Sequence, residues 1–488
     1  MIKTCLEYHQ TTSYDRFEMS GDPLDFANQP KVFKEYQGST SLPLPRDLQF
    51  PKGKLSALLG ETAISDLPKP LDLEALSLLF FLSCTHTARA RYPEGDFFFR
   101  SAASAGALYP TEIYVATHDV KNLDNGLYHF AIQDHSLDSL RKGDFFGVSQ
   151  REGSQLTFFL TAIFFRSAWK YRARAYRYHL LDTGHVAENL TLALKAMGLP
   201  FSVSYDFDDD SVNRLLGLND QKEVALVIID VPGDKEIFRK YNGPLPALSE
   251  PVRQASRVSA KENDYPAIRE MHKASMPVIR SESRAGMIHE LGITPKKWTA
   301  IGASGAWPEI IDYPDAVFRR RSRRNFVKKA LSGQAMDALL RSLCRSDGSF
   351  YEQSVAVGFL VGQAEDMNPG LYLLDRGNEV WALGFPGQLM AKSTSICLDQ
   401  AWLVNAGVHF LFLANLEVLE KTWGARGYRY AMLAAGRLGQ RLYVAAEAMG
   451  MGCCGIGALY DGEAMEMLGL NRSSRLLYLV AVGNTKRT

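Results

Sequence analysis

Two stretches of the chain share one pattern of apolar and polar positions. Each passes from an apolar helix through A-M-G and a short irregular segment to L-G-L-N and a closing apolar strand. One constant offset, without gaps, relates residues 173–219 to residues 425–471 and Tyr176 to Tyr428. Because chance rarely keeps a fixed register over such a length, the pattern predicts two copies of one structural unit.

The long helix predicted in each copy has apolar residues on more than one face. In the first copy they recur at helical spacing, at Leu180, Leu181, Val186, Leu190, Leu192, Leu194 and Met197. A helix that is apolar around most of its circumference is normally buried. We therefore predict two α+β domains that pack through these helices, so that the chain forms an intramolecular pseudo-dimer. Two independent domains are the less favoured alternative.

Apolar runs at 223–230 and 476–482 predict the closing strands, and G-L-Y at 126–128 and 370–372 extends the similarity upstream. The stretch between the copies is rich in Ser, Arg, Lys, Glu and Pro, which is typical of a linker. We therefore expect an N-terminal extension at 1–50, a first domain at 51–245, a linker at 246–310 and a second domain at 311–488.

Composition and charge narrow the class of protein. The chain has 488 residues, of which 46% are hydrophobic and 22% charged, as in globular proteins. A net charge of +1 gives no reason to expect nucleic acid or an anionic membrane as a partner. The N-terminus lacks the apolar core of a signal peptide, no apolar run could span a bilayer, and the six cysteines are sparse. We therefore expect a cytoplasmic protein, and since the histidines show no metal-ligand spacing, we predict no metal site.

The densest charged motif is R-R-R-S-R-R-N, which lies between Phe318 and Phe326 at the start of the second copy. Arginines offer fixed forks of N–H donors, and beside a serine hydroxyl they suit a phosphate monoester. Basic clusters are also common on solvated faces, so this motif alone leaves both interpretations open.

A glycine-rich segment, G-M-G-C-C-G-I-G, follows the long helix of the second copy at 450–457. Glycines at this density let backbone N–H groups approach a ligand, although an ordinary turn between helices is the alternative. The corresponding segment of the first copy, F-S-V-S-Y-D-F, lacks them. Since a turn required by the fold would need glycines in both copies, we favour contact with a ligand. The vicinal Cys453 and Cys454 are interpreted as small packing residues.

Two further motifs occur in the first copy alone. The loop S-A-G-A-L-Y-P at 104–110 is either a plain connector or a place where something flat approaches the backbone. Lys170 and Tyr171 precede the long helix, and a lysine beside a phenol makes either group a candidate acid or base. A solvated pair is the ordinary alternative. The second copy has Thr422 and Trp423 at these positions, so the fold does not require the pair.

Together these motifs resemble the nitroreductase superfamily, and specifically its SagB/ThcOx-type (McbC-like) dehydrogenases. The resemblance rests on R-R-S-R-R-N-F at 320–326, S-A-G-A-L-Y-P at 104–110, K-Y-R-A-R-A-Y-R-Y at 170–178, C-C-G-I-G-A-L-Y-D at 453–461 and L-D-F-A-N-Q-P at 24–30. It implies two α/β sandwich domains, each a mostly antiparallel sheet flanked by helices. It also implies that flavin mononucleotide (FMN) binds where two such subunits meet.

The resemblance also implies roles for individual residues. It implies that the phosphate is held by Arg320, Arg321, Ser322 and Arg324, with Lys486 or Arg487 as an added basic residue. It implies that the residues near the flavin ring are Gly455, Ile456 and Gly457 and, from the other subunit, Ala103, Ser104, Ala105, Gly106 and Ala107. Lys170 and Tyr171 match a pair that is implicated in catalysis in azoline-oxidising relatives.

The chain divides the family's motifs between its copies. The second copy keeps the arginine and glycine motifs, and the first keeps the small-residue loop and the Lys-Tyr pair. We therefore expect one composite FMN site per chain and one degenerate site.

The expected activity is that of a SagB-type, FMN-dependent oxidoreductase. Its substrate would be peptide-derived and azoline-like, oxidised by proton abstraction and hydride transfer to flavin N5. The alternatives are an NAD(P)H-dependent nitro, quinone or enone reductase and a flavin-free scaffold subunit of a biosynthetic complex. A further homodimer of the chain is left open.

Overall fold

The structure is a computed structural model, and it describes residues 1–19, 21, 23–60, 71–92, 95–145, 153–233, 245, 248–279, 286–295, 297–302 and 306–486. The chain divides into two compact units. The first unit comprises Pro23–Lys52 and Glu61–Arg269, and the second comprises Met1–Asp22, Gly53–Gly60 and Glu270–Thr488.

The helices and strands are numbered separately in chain order. The strands are β1 (Thr40–Pro43), β2 (His86–Tyr92), β3 (Gly95–Arg100), β4 (Thr111–Thr117), β5 (Gly126–Ala131), β6 (Ser136–Lys142), β7 (Ser154–Ile163), β8 (Ser202–Ser204), β9 (Glu223–Pro232), β10 (Trp298–Ala300), β11 (Ala356–Val361), β12 (Gly370–Asp375), β13 (Val380–Pro386), β14 (Val408–Asn415), β15 (Gly452–Ile456) and β16 (Ser474–Gly483). The α-helices are α1 (Cys5–Thr11), α2 (Leu55–Leu59), α3 (Leu73–Ser83), α4 (Phe164–Tyr171), α5 (Ala175–Ala196), α6 (Asp209–Leu216), α7 (Glu250–Gln254), α8 (Pro266–Ala274), α9 (Tyr313–Arg319), α10 (Gly333–Cys344), α11 (Met390–Ile396), α12 (Leu416–Trp423), α13 (Arg426–Ala448) and α14 (Asp461–Met467). In the described part of the chain, no helix has the length and hydropathy of a membrane span.

Each unit contains one large antiparallel sheet, and the two sheets have the same strand order. Among the described residues the first is β1-β6-β5-β4-β7-β9-β8 and the second is β10-β13-β12-β11-β14-β16-β15. The registers correspond as well, because Tyr114 pairs with Phe159 as Gly358 pairs with Leu411. The shared topology confirms the predicted repeat and the predicted fold class, two α+β domains with antiparallel sheets flanked by helices.

The long helices of the two copies are α5 and α13, and both are buried along nearly their whole length, as their apolar patterns predict. Each ends at the repeated A-M-G, where Gly198 and Gly450 have φ angles of 67° and 71°. The chain turns back here because the N–H of the residue after this glycine, three residues beyond the helix, bonds to a carbonyl of the last turn, with N···O distances of 2.9 and 2.8 Å.

The N-terminal residues contribute to both units. In the second unit, His9 of α1 lies 3.0 Å from a carboxylate oxygen of Asp461, and the N–H of Tyr14 donates to the same carboxylate at 2.9 Å. β1 forms the edge of the first sheet against β6, as β10 does in the second sheet against β13. The expected extension and linker thus each contribute an edge strand, while the domain boundaries at 50, 245 and 310 stay a prediction.

The core of the first unit contains a buried polar network. Lys34 and Glu223 form an ion pair, and the Tyr114 hydroxyl lies 2.7 Å from Lys34 Nζ and 3.0 Å from Glu223 Oε1. Beside them, Arg166 of α4 pairs with Glu112 of β4. Since Lys34 precedes β1 and Glu223 begins β9, the network ties the N-terminal part of this unit to its sheet.

Candidate functional site

Lys170 and Tyr171 form the last turn of α4. The half-buried Tyr171 ring packs on Tyr178 of α5, with 4.4 Å between the ring centroids. Lys170 Nζ lies 5.4 Å from the centroid of the Tyr171 ring, a distance typical of a cation–π contact. The helix ends at Arg172, which has a positive φ of 52°. The amino group of Lys170 and the phenol of Tyr171 therefore lie side by side at the end of α4.

The small-residue loop is held by a carboxylate of α5. Ser104 Oγ donates to Asp182 at 2.6 Å, and the Ala105 N–H donates to the same carboxylate at 3.1 Å. Ser104 Oγ in turn accepts from the N–H of Tyr109 at 2.9 Å. Ala103, just before these bonds, is buried. The loop is therefore a turn anchored to the core of the unit, and not a plain connector.

Gly106 of this loop lies against the Lys-Tyr pair. A Cβ at this position would lie 2.8 Å from the Tyr171 hydroxyl and 3.5 Å from Lys170 Cδ. Gly106 also has a φ of 64°, followed by Ala107 at 53°, so the chain turns in the left-handed region here. The structure thus brings together two motifs of the first unit that are well separated in the sequence.

In the second unit, the arginine segment is organised around a buried tyrosine of α13. Tyr443 accepts a hydrogen bond from the Gly455 N–H at 2.6 Å, and its oxygen lies 2.9 Å from Ser322 Oγ. The buried guanidinium of Arg320 lies 5.3 Å from the centroid of the Tyr443 ring. Burial raises the pKa of Tyr443 well above its ordinary value, so the phenol keeps its proton and can donate it to Ser322. Ser322 then retains its own O–H for donation elsewhere.

The remaining predicted arginines lie farther out. Arg324 is exposed, with its guanidinium carbon 5.9 Å from the centroid of the Trp402 ring. Arg321 is half-buried, and it donates to the carbonyl oxygen of Phe318 at 3.1 Å. Of the three arginines predicted for the phosphate site, one is therefore buried against the Tyr443 ring and two can be reached by solvent.

The C-terminal end of the chain runs beside the arginine segment. The N–H of Lys486 donates to the carbonyl oxygen of Asn325 at 3.2 Å, and the side chain of Asn325 donates back to the Lys486 carbonyl at 3.1 Å. These bonds bring the exposed Lys486 next to the arginine segment, where the sequence predicts an added basic residue. Arg487 lies outside the described residues.

Glu447 of α13 adds an acidic group near the arginines. Burial raises its pKa, and the arginines of the segment, Arg323 and Arg320 first among them, lower it by less. The carboxyl is thus more readily protonated than an exposed one.

The glycine-rich segment forms an edge strand instead of a turn. Gly455 and Ile456 of β15 pair with β16. A Cβ at Gly455 would overlap the Tyr478 hydroxyl, so packing of this tyrosine requires a glycine there. The first unit has Val203 at the same register in β8. Comparison of the copies overlooked this packing reason, and contact of Gly455, Ile456 and Gly457 with FMN stays a prediction.

The two sequence copies also match one family of known proteins. The family model described as "Nitroreductase family" matches residues 67–231 and again residues 317–484, which together make up more than half of the chain. The chain belongs to the nitroreductase family. Its two units carry tandem nitroreductase domains, as the resemblance of the motifs implies.

Two curated proteins similar to this tandem nitroreductase are processing proteins. It is 29% identical over 174 residues to the trifolitoxin-processing protein TfxB of Rhizobium leguminosarum bv. trifolii, a match that covers 33% of this chain and 47% of TfxB. It is 31% identical over 148 residues to the microcin B17-processing protein McbC of Escherichia coli, covering 28% of this chain and 54% of McbC. The chain spans about half the length of these relatives.

A crystal structure of a protein from Anabaena variabilis is similar in fold over nearly the whole chain. The TM-score is 0.79 at 24% sequence identity, and 99% of each chain is covered. At this level of identity the likeness concerns the fold alone.

Two residues that hold the motifs of this tandem nitroreductase, Asp182 and Tyr443, do not belong to any motif of the sequence. Each is present in one copy only, since Ala434 occupies the position of Asp182 and Thr191 that of Tyr443. Each copy thus carries, on its long helix, the polar residue that holds the motif retained by that copy. A position-by-position comparison of the two helices is the signal that could find both.

Proposed function

We propose that this protein is an FMN-dependent oxidoreductase that dehydrogenates a peptide-derived, azoline-like substrate. One observation carries the proposal: the hydroxyl of Tyr171 and the stem of Lys170 lie directly against Gly106, so the candidate acid–base pair and the small-residue loop form one site. The substrate class is supported by two relatives, which are named for the processing of trifolitoxin and of microcin B17.

The donor set of the arginine segment fits the phosphate of FMN. Ser322 and Arg324 are exposed, Arg321 is half-buried, and Lys486 is exposed beside them. Guanidinium forks and a hydroxyl with a proton to donate are the groups that bind a phosphate monoester best. In this proposal Arg321, Arg324 and Lys486 bind the phosphate charge, and Ser322 donates a hydrogen bond whose direction is set by Tyr443.

The chemistry is divided between the cofactor and the chain. When bound, FMN supplies the two-electron acceptor for the oxidation. Lys170 as its free amine, or Tyr171 as its phenolate, accepts the proton that leaves the substrate carbon, and the loop of small residues excludes water while leaving room for flat groups. That Ala103–Ala107 also contacts the flavin stays a sequence-based prediction.

FMN binding is the first test. The purified protein, titrated with FMN and followed by absorbance, is expected to bind one equivalent per chain. Arg324→Ala combined with Ser322→Ala should weaken binding roughly tenfold or more, because charge-assisted hydrogen bonds are lost. Arg472→Ala, which removes an exposed arginine of the same unit, is the matched control and should bind like the wild type. A protein that binds no FMN would contradict the proposal, and two equivalents would contradict the single site.

The catalytic roles need a substrate probe, for which a synthetic peptide with one thiazoline ring is suited, with oxygen as the final electron acceptor. Lys170→Ala and Tyr171→Phe are expected to keep FMN bound and to slow oxidation of the ring. Unchanged turnover in both variants would refute the role of the pair.

The description of the family favours a second candidate, a reductase, for which we propose NAD(P)H as the electron donor. Addition of NADPH to the FMN-loaded protein without a substrate separates the two. Rapid loss of flavin absorbance favours the reductase, and an unchanged spectrum favours the dehydrogenase.

A further inference from the structure

The small-residue loop has a backbone that its own sequence does not favour. Three of its residues, Gly106, Ala107 and Tyr109, have φ angles of 64°, 53° and 48°. The left-handed region is easy for glycine but costly for residues with a Cβ, and such residues persist there only where their surroundings hold them. The strained part of this loop therefore depends on contacts outside it.

Asp182 provides those contacts. Its two carboxylate oxygens accept from Ser104 Oγ at 2.6 Å and from the Ala105 N–H at 3.1 and 3.2 Å. Through Ser104 they also fix the N–H of Tyr109 at 2.9 Å. A carboxylate can accept all these bonds at once because it has no proton of its own, whereas a carboxylic acid or an amide turns a donor toward Ser104 Oγ, whose own O–H then loses its acceptor.

Among the described residues, no ion pair involves Asp182, and these hydrogen bonds are its polar contacts. Burial raises its pKa to about 7, while the Ser104 hydroxyl and the Ala105 amide lower it by less. His179 and His185 are also buried on α5, one turn to either side, and burial lowers the pKa of His179 to about 3, so its imidazole is neutral. Arg100 and Glu112 are the buried charged residues that flank the loop in sequence, and neither of them shifts the pKa of Asp182. A shape-conserving amide at 182 therefore changes the loop contacts without breaking an ion pair.

We propose that Asp182 is a positioning residue for the Lys170–Tyr171 pair: its carboxylate holds the small-residue loop in the conformation that supports Tyr171, and protonation of the carboxylate loosens the loop. The loop conveys this effect because Gly106 lies against the Tyr171 hydroxyl. The part of the inference that concerns catalysis rests on the proposed function, since the pair is catalytic only there. Copy two, with Ala434 in place of the aspartate, retains neither the loop motif nor the pair.

Hydrogen exchange of the full chain tests the hold on the loop without any substrate. Asp182→Asn is compared with Thr183→Val, which removes a buried hydrogen bond from the next position of α5, to Thr111 of β4. At a pH well above the pKa of Asp182, the amides of Ala105 and Tyr109 should exchange roughly tenfold faster or more in Asp182→Asn than in the wild type. Thr183→Val should leave these amides unchanged.

The same measurement at a pH well below that pKa adds a second condition. Here the wild-type carboxyl is protonated, so the difference between the wild type and Asp182→Asn should vanish. Equal loop exchange in the two proteins at both pH values would overturn the inference. Asp182→Ala, which removes the acceptors altogether, is expected to expose the loop at either pH, and a protected loop in this variant would also overturn it.

Turnover of the thiazoline peptide by the FMN-loaded protein then tests the link to catalysis. Asp182→Asn should lower kcat more than it raises KM, and the inflection of the kcat–pH profile near the pKa of Asp182 should be lost. A variant with a loosened loop but a wild-type profile would overturn the positioning role. If no variant, nor the wild type, oxidises the peptide, the proposed function fails, while the exchange data still decide whether Asp182 holds the loop.

Discussion

Asp182→Asn is expected to stabilise the first unit at alkaline pH, although it weakens the hold on the loop. Burial raises the pKa of Asp182 from 3.8 to about 7 in the folded chain. Between these values the unfolded chain has released a proton that the folded chain still binds, so stability falls as the pH rises, and the full loss is present above the folded pKa. A rise of about three pKa units corresponds to about 4 kcal/mol. An amide of the same shape avoids this loss because it does not ionise.

The free energy of unfolding in urea, measured from acidic to alkaline pH, checks this prediction. Following the exchange of α5 amides during unfolding restricts the signal to the first unit. The difference in stability between Asp182→Asn and the wild type should change by about 4 kcal/mol in favour of the variant as the pH rises from about 4 to about 7, and stay constant above that. Thr183→Val should follow the wild-type curve with a constant offset. If the curves of the wild type and Asp182→Asn run parallel, Asp182 does not titrate as the structure indicates.

Three further substitutions test other parts of the structure. Gly455→Ala should destabilise the second unit by about 2 kcal/mol, since its Cβ would overlap the Tyr478 hydroxyl. Tyr478→Val in the same protein should relieve the clash. Equal urea midpoints for Gly455→Ala and the wild type would contradict this prediction. Lys34→Met should lower the free energy of unfolding of the first unit by about 3–5 kcal/mol, because it leaves Glu223 buried without its partner. In the same measurement, Lys34→Met combined with Glu223→Leu should recover much of this loss. Tyr443→Phe should weaken FMN binding roughly tenfold in a titration, because Ser322 and the Gly455 N–H lose their common partner; unchanged affinity would show that Tyr443 does not orient Ser322.

The fold was accessible from the sequence because both copies encode it. The alternation of apolar residues in the strands and the repeated helix ends are local features, and they recur at one offset in the two copies. Lys170, Tyr171 and the loop at 104–110 could be picked out for the opposite reason, since only one copy has them. Their contact with each other was not accessible, because Gly106 meets Tyr171 only when α4 and the loop pack together.

The glycines of β15 show where comparison of the copies misleads. Their loss from the first copy suggests a ligand in the second, but Gly455 also makes room for Tyr478, and the first copy has the smaller Val227 at that register of its sheet. A requirement for glycine that arises between neighbouring strands depends on the side chain it faces. It becomes visible in the sequence only when both positions are compared together.

The two copies differ in the buried polar network, whose charged residues occur in the first unit alone. Besides Lys34, the network of the first unit includes His129, which lies 2.9 Å from Glu112 and 3.5 Å from Asp138. The network residues with a counterpart in the second unit are Glu112, Tyr114, His129, Asp138, Arg166 and Glu223, and the matching residues are Ala356, Gly358, Leu373, Ala382, Val418 and Ser474. One topology therefore tolerates either charged or uncharged residues at these positions, so the fold itself does not require the charges. Replacing a buried ion pair by apolar residues is often neutral or stabilising, so overall stability is a weak explanation for retaining it. What the network does in this chain is join Lys34 to β9 and Arg166 to β4, and Arg166 lies on the same helix as Lys170 and Tyr171. The ionic interior thus fixes the helix that carries the proposed catalytic pair, in the one copy that retains that pair.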